Sequence, residues 1–299
     1  MSRVSTGVRD AGLTLQIGLA AAVGWIVPEP LWLPLTRTIG RIETRWPLPG
    51  PGVGSLPFDE SLARNAGCSA RSLAVERIAT GHASRLYALR EYLPWRIRVP
   101  IQVAGAEHIT RALDGHAGAV LWIGRFTWAS IITKIGLHQA GFPVSHLSRP
   151  THGFGTSAFA VRRLNPIWTR IEERFLRERI LMESGSETVA LRTLRRRLAD
   201  NGLISISVGG EGARTVEVSL LGGPLRLATG PVSLAVASGA PLLPVFTIRE
   251  DSGQFRIEID ASLDIPRAGA RERRERLVAE AYAGRLEPWV REYPGQWLG

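Results

Sequence analysis

Residues 118–141, GAVLWIGRFTWASIITKIGLHQAG, decide the fold of this chain. Residues 119–123 form a short, continuous apolar run between Gly118 and Gly124, which is typical of a strand buried on both faces. After that run the apolar residues recur with a helical period, so we expect a helix that packs back onto the strand. The turn Arg125-Phe126-Thr127 then lies at the carboxyl end of a strand and the amino end of a helix, where sites in open α/β sheets are built.

The rest of the chain alternates predicted strands with predicted helices. The further strands are expected at 97–103, 143–147, 203–208, 215–221, 242–248 and 255–259, and the helices at 62–93, 107–113, 156–164, 167–182, 187–199, 230–238 and 271–291. Strands separated by helices predict an α/β fold with a mostly parallel central sheet covered by helices.

The first 46 residues predict a membrane anchor. No charged residue occurs from Ala11 to Pro28, and this length is at the lower limit for a membrane span. The tryptophans around the Pro-rich segment 28–34 and the arginines close behind it resemble an aromatic belt with basic anchors: Trp25, Trp32, Trp46, Arg37, Arg41 and Arg45. A cleaved signal peptide is the second interpretation, although the apolar run continues past its small residues, and a buried core helix is the third. The expected organisation is an anchor at 1–46, a Pro/Gly linker at 47–60 and an α/β domain at 61–299.

Composition limits the classes of function. The chain of 299 residues carries a net charge of +10, and a basic surface suits anionic membranes, phosphates or nucleic acid. The single cysteine, Cys68, excludes a disulfide framework and argues against a zinc site built on thiolates. None of the six histidines pairs with another at the helical i, i+4 spacing, so no metal site is predicted.

A candidate anion site follows the predicted strand at 203–208. Glu211-Gly212-Ala213-Arg214 lies in a glycine-rich turn, where the backbone can approach a ligand and Arg214 can form two hydrogen bonds to a phosphate. We expect Arg149, Glu211, Gly212 and Arg214 to contact substrate; the alternative is that the charged residues among them form structural ion pairs.

Several of these motifs resemble one family. The residues Glu211-Gly212-Ala213-Arg214 resemble the E-G-T-R block of the glycerolipid acyltransferases, and Pro241 to Val245 resembles their later apolar-proline block. The order of motifs from Ser61 to Asp264 is similar to that of the lysophospholipid acyltransferase superfamily, and most closely to its lipid A biosynthesis (lauroyl/myristoyl) acyltransferase branch. The resemblance implies an acyltransferase-like α/β fold with a membrane-associating N-terminal helix.

The sequence departs from that family at the catalytic motif. Aligned with the family's His-x4-Asp/Glu block, the chain has Arg125 in place of the histidine and Ser130 in place of the acid. In the family, the histidine removes the proton of an acceptor hydroxyl as it attacks an acyl thioester, and the acid orients the imidazole. An arginine stays protonated at any working pH, so it cannot act as this base.

Three interpretations follow from this departure. In the first, the chain is an acyltransferase whose base is His152 or His146, assisted by Glu211, with Arg125 as an oxyanion or phosphate contact. In the second, it is an inactive homologue that binds lipid or acyl carrier. In the third, ranked last, the basic surface binds nucleic acid, although no nucleic-acid motif accompanies the charge.

The first interpretation makes specific expectations about substrates and location. The acyl chain would pass from acyl carrier protein or coenzyme A to a hydroxyl of a membrane lipid or glycolipid. The protein would work at the cytoplasmic face of a bacterial inner membrane, and the resemblance implies no metal or redox cofactor.

Overall fold

The computed structural model describes residues 3–46, 58–92, 100–183, 185, 187–210 and 212–299. The helices are α1 Arg3–Ile26, α2 Trp32–Arg45, α3 Phe58–Asn65, α4 Ala70–Leu89, α5 Ala106–Asp114, α6 Ile132–Gln139, α7 Asn165–Glu173, α8 Glu187–Ala199, α9 Gly230–Ser238 and α10 Arg271–Glu292. The strands are β1 Ile101–Ala104, β2 Ala119–Ile123, β3 Ser145–Ser148, β4 Glu178–Leu181, β5 Leu203–Ser207, β6 Thr215–Leu220, β7 Gly223–Ala228, β8 Leu242–Arg249 and β9 Phe255–Ile259.

Seven strands form one sheet in the order β1-β9-β8-β2-β5-β3-β4. The five strands from β8 to β4 are mutually parallel, whereas β9 runs antiparallel to β8 and β1 parallel to β9. All five residues of β2 are buried, as its unbroken apolar run predicts. The predicted mostly parallel sheet covered by helices is therefore confirmed, with β2 at its centre.

The two faces of the sheet support separate cores. Val120 and Trp122 of β2 join the core that includes residues of α8, α9 and α10, where the rings of Trp122 and Tyr282 lie 4.2 Å apart. Leu121 and Ile123 point the other way, into a core that includes residues of α5 and α6. This alternation follows from the two-residue period of a strand, and it makes both faces of β2 apolar.

The predicted helix at 167–182 is wrong in its second half. The helix α7 ends at Glu173, and residues Glu178–Leu181 form the edge strand β4 instead. The short strand β4 mixes polar and apolar residues, as an amphipathic helix does, so its sequence does not distinguish the two structures. Its pairing with β3 makes it a strand.

Two smaller predictions also need correction. The segment 62–93 contains two helices rather than one, because α3 ends at Asn65 and α4 begins at Ala70, where the hydroxyl of Ser69 caps it. The strand at 215–221 is confirmed as β6, but it forms a separate hairpin with the unpredicted β7. Leu221 and Gly222 have φ angles of 48° and 74° in the turn of that hairpin, a conformation that matches the twist of the paired strands.

The N-terminal helices pack on the domain through one face. The side chains of Leu13 and Ile17 are buried in a cluster with Leu89 of α4, whereas Leu19 and Ile26 are 56% and 80% exposed. Among the residues that the structure describes, no helix is both long enough and apolar enough to cross a membrane. Most of the predicted linker, residues 47–57, lies outside the described residues.

Candidate functional site

The turn after β2 is fixed by the end of the chain. The backbone N–H of Gly124 donates to the Val245 carbonyl of β8 at 2.7 Å, and the Leu298 N–H donates to the Arg125 carbonyl at 2.9 Å. Phe126 is buried, so its neighbour Arg125 is turned outward and its side chain is exposed. The turn therefore presents a cation at the carboxyl edge of the sheet.

Ser130 lies two residues before α6 begins, and it is half-buried between the buried residues Ala129 and Ile131. It follows the same turn as Arg125, as the sequence predicts. Neither side chain can accept a proton from a hydroxyl at neutral pH, so these two positions do not by themselves form a general base.

His146 lies inside the sheet rather than at its edge. It is opposite Ser205 in the pairing of β3 with β5, and its Nδ1 lies 2.8 Å from the Ser205 Oγ. Only 6% of the residue is exposed. Burial lowers the pKa of His146 well below its usual value, and the nearby Lys134 ammonium lowers it further, so the ring is neutral at pH 7.

His152 forms a contact of a different kind. Its Nε2 lies 3.0 Å from both carboxylate oxygens of Glu172 on α7. The Glu172 side chain is completely buried, whereas 31% of the His152 side chain is exposed. An imidazole that contacts solvent on one side and a buried carboxylate on the other has the geometry of an oriented general base.

The Glu172 carboxylate has two further donors. The Lys134 Nζ lies 2.5 Å from Oε1, and the Trp168 Nε1 donates to the same oxygen at 2.9 Å. Burial raises the pKa of Glu172, but the Lys134 ammonium and the hydrogen bond from His152 outweigh it and hold the pKa well below the usual range. The carboxylate is therefore ionised at any working pH.

Sequence reasoning missed the two central members of this cluster. Glu172 is one of two adjacent acids within a predicted helix, and nothing local distinguishes it from its exposed neighbour Glu173. Lys134 did carry a signal, because it is the only lysine among the 37 lysine and arginine residues of the chain.

The predicted substrate contacts are divided between two places. Arg149 is exposed just beyond β3, and its carbonyl accepts from the His152 N–H and from Arg179 Nη2, each at 3.1 Å. Arg214 lies 2.9 Å from Glu272 and 3.5 Å from Glu275, both on α10.

The glycine-rich turn after β5 is described only in part. Glu211 lies outside the described residues. Gly212 packs closely on β7, since a Cβ there would lie 3.1 Å from the Cβ of Ala228. A larger residue would require Ala228 to move by a few tenths of an ångström, so the close approach favours glycine at this position.

A cleft of about 270 Å³ opens beside the turn, between the N-terminal helices and the end of the chain. Trp128 contributes to its wall, together with Thr80 of α4, Arg249 of β8 and Gln296. The Nε1 of Trp128 is buried without a hydrogen-bond partner. In the part of the chain that the structure describes, no group of histidine, cysteine and acidic residues is arranged to hold a metal ion.

Comparisons with known proteins identify the family of this chain. Residues 85–298 match the model of a family described as bacterial lipid A biosynthesis acyltransferase. A phosphatidylinositol mannoside acyltransferase of Mycobacterium tuberculosis is 26% identical over 202 residues, which cover 65% of this chain and 57% of the relative. A protein of the same name from Mycolicibacterium smegmatis is 24% identical over 209 residues, which cover 68% of this chain and 62% of the relative. The matched parts thus span less than two thirds of the length of these relatives.

Proposed function

The chain belongs to the bacterial lipid A biosynthesis acyltransferase family, and we propose that it transfers a fatty acyl chain from a thioester to a hydroxyl of a lipid or glycolipid. The donor is acyl carrier protein or coenzyme A. The acceptor class is supported by the mycobacterial relatives, which are named phosphatidylinositol mannoside acyltransferases.

The contact between His152 and Glu172 carries the proposal, because it supplies the base that Arg125 cannot. The neutral His152 ring takes the proton of the acceptor hydroxyl while the oxygen attacks the thioester carbonyl. A C–O bond forms and the C–S bond breaks. The imidazolium then returns the proton to the departing thiolate, so the enzyme ends in its starting state.

Accessibility favours His152 over His146. His146 is 6% exposed and is held by Ser205 within the sheet, so an acceptor hydroxyl has no path to its ring. His152 is in the loop after β3 and reaches solvent. Among the described residues, the carboxylate that contacts His152 is that of Glu172. We therefore assign to Glu172 the role of orienting the base, which was expected of Glu211.

Arg125 is then free to stabilise charge. The strands β2 and β3 are separated by β5 alone, so their carboxyl ends lie roughly 10 Å apart at about 4.8 Å per strand. A thioester bound between them has the base on one side and the Arg125 guanidinium on the other, in contact with the oxyanion or a phosphate.

Arg149 lies at the end of β3 and suits the same anionic ligand. Arg214 reaches that ligand if its guanidinium leaves Glu272.

The exposed apolar face of α1 supports the proposal that the protein associates with a membrane surface. Leu15, Leu19 and Ile26 are spaced by four and seven residues, which places them on one side of the helix, and all three are more than half exposed. Arg41 and Arg45 are exposed on α2. A helix with this character lies in the membrane interface, and basic residues draw it to anionic lipid, as at the cytoplasmic face of a bacterial inner membrane.

The test is an acyl-transfer assay with labelled acyl carrier protein and acyl coenzyme A, offered against pooled bacterial lipids. We expect wild-type turnover, a loss of about 10²–10⁴-fold in His152→Gln, and a much smaller loss in His146→Gln. Full activity in His152→Gln would refute the assigned base. Turnover only in Arg125→His/Ser130→Glu would refute the proposed activity and indicate a lipid- or carrier-binding role.

A further inference from the structure

The only lysine of the chain is also one of its most buried charged residues. Lys134 lies in the first turn of α6 and is 3% exposed. Every other basic side chain outside the histidines is an arginine, and most of these lie at the surface. Because Lys134 is buried, its charge acts on its neighbours in the fold rather than adding to the basic surface.

Lys134 approaches the proposed base through Glu172. The ammonium group lies 2.5 Å from Oε1 of Glu172, and His152 contacts both oxygens of the same carboxylate. Lys134, Glu172 and His152 come from α6, α7 and the loop after β3. We propose that Lys134 is a positioning residue for the base: it keeps Glu172 ionised and in one orientation, and Glu172 in turn holds the His152 ring toward the acceptor. This inference rests on the proposed function, because it assigns a role in the same site.

The size of the ammonium group explains the choice of lysine. Glu172 is fully buried and already accepts hydrogen bonds from Trp168 and His152, so the remaining space suits a compact donor better than a planar guanidinium. Beside the Lys134 side chain is a cavity of about 10 Å³, also lined by His146 and Ser205. That volume gives the other ammonium protons space for one water molecule.

The charges around the cluster set the direction of its pH response. The other charged or titratable groups that act on it are His146 on β3 and Arg179 on β4. Burial lowers the pKa of Lys134, and the neighbouring Glu172 opposes that effect. The positive charge of Lys134 disfavours protonation of the Glu172 carboxylate and lowers its pKa. Removing that charge lets the site bind a proton at higher pH, and removing the carboxylate takes away the group that binds it.

The pH profile of kcat/KM tests this role. In Lys134→Met the acidic limb should move to higher pH, because the positive charge that disfavours protonation of Glu172 is gone. In Glu172→Gln the limb should move to lower pH, with a lower kcat. The control is Thr133→Val, the neighbouring buried position, which should leave the limb in place. A uniform loss of activity in Lys134→Met with an unmoved limb would show a purely structural role and overturn the proposal.

A second measurement separates this inference from the proposed function. Labelling with ¹⁵N-lysine gives a single side-chain signal, because Lys134 is the only lysine. We expect a protected ammonium group in the wild type, and faster exchange of that group in Glu172→Gln, which removes its carboxylate partner. Both results are independent of turnover, so they hold even where wild-type protein transfers no acyl group. A rapidly exchanging ammonium signal in the wild type, or equal exchange in the two proteins, would overturn the inference.

Discussion

Phe126, in the turn after the central strand β2, pairs with Trp297, which follows α10. The two residues form an isolated antiparallel bridge, and their rings lie 5.3 Å apart. Beside them, the Thr127 N–H donates to the Gln296 carbonyl at 2.7 Å. The turn that carries Arg125 is therefore held by residues at the far end of the sequence, and the position of this cation depends on them.

Trp297→Ala should lower the free energy of unfolding by about 3–5 kcal/mol, the usual cost of removing a large buried aromatic side chain. Urea unfolding measures the change. The neighbouring Leu298→Ala, at a residue that is 40% exposed, should change the free energy by about 0.5 kcal/mol or less. Equal effects of the two substitutions would show that the bridge between Phe126 and Trp297 does not hold the turn.

The buried pair of Lys134 and Glu172 should behave as a unit. Lys134→Met and Glu172→Gln should each lower the free energy of unfolding by about 3–5 kcal/mol, because each leaves its partner charged and buried. The double variant should lose less than the sum by about 1–3 kcal/mol. A double-mutant cycle by urea unfolding measures this coupling, and strict additivity would contradict the contact.

His146 should make the protein sensitive to mild acid. Burial holds the pKa of His146 well below 6.5, so between the two values the unfolded chain binds a proton that the folded chain does not. The free energy of unfolding should therefore fall by about 1.4 kcal/mol for each pH unit below 6.5, until the pH reaches the folded pKa. Urea midpoints from pH 7.5 to 5.0 measure the slope.

Two variants, His146→Gln and His138→Gln, test whether His146 causes the dependence of the free energy of unfolding on pH. Glutamine at position 146 can still form a hydrogen bond with Ser205 but does not titrate. The number of protons taken up on unfolding should therefore decrease by about one, and the slope should become correspondingly smaller. His138 is exposed on α6, and its replacement should leave the slope as it is in the wild type. An unchanged slope in His146→Gln would mean that another group carries the acid sensitivity.

Binding to vesicles should depend on the exposed face of α1. Leu19→Glu/Ile26→Glu should weaken binding to phosphatidylethanolamine vesicles that contain phosphatidylglycerol by at least about tenfold, since each buried aliphatic side chain contributes about 1.5–3 kcal/mol. Co-sedimentation measures the binding. The control Val189→Glu/Leu191→Glu adds the same charge at exposed apolar residues of α8 and should have a smaller effect. Equal losses would assign the effect to net charge.

The sequence determined the architecture because its signals are local. The apolar run at 119–123 specifies a strand buried on both faces, and the alternation of strands and helices along the chain specifies a mostly parallel sheet. The assignment of Arg125 and Ser130 to the family's catalytic positions rests on the order and spacing of the motifs, and it stays a prediction. Periodicity failed at β4, where a short polar edge strand has no apolar pattern to distinguish it from the end of a helix.

Only the tertiary structure decided which residues meet. His152, Glu172 and Lys134 belong to three elements, and their contact depends on how α6 and α7 pack against the sheet. The same packing buries His146 and leaves His152 accessible, a distinction that the sequence left open. A side chain's neighbours across elements are set by helix orientation and strand order, and no local pattern encodes either, so the cluster around Glu172 emerges only when the chain is folded.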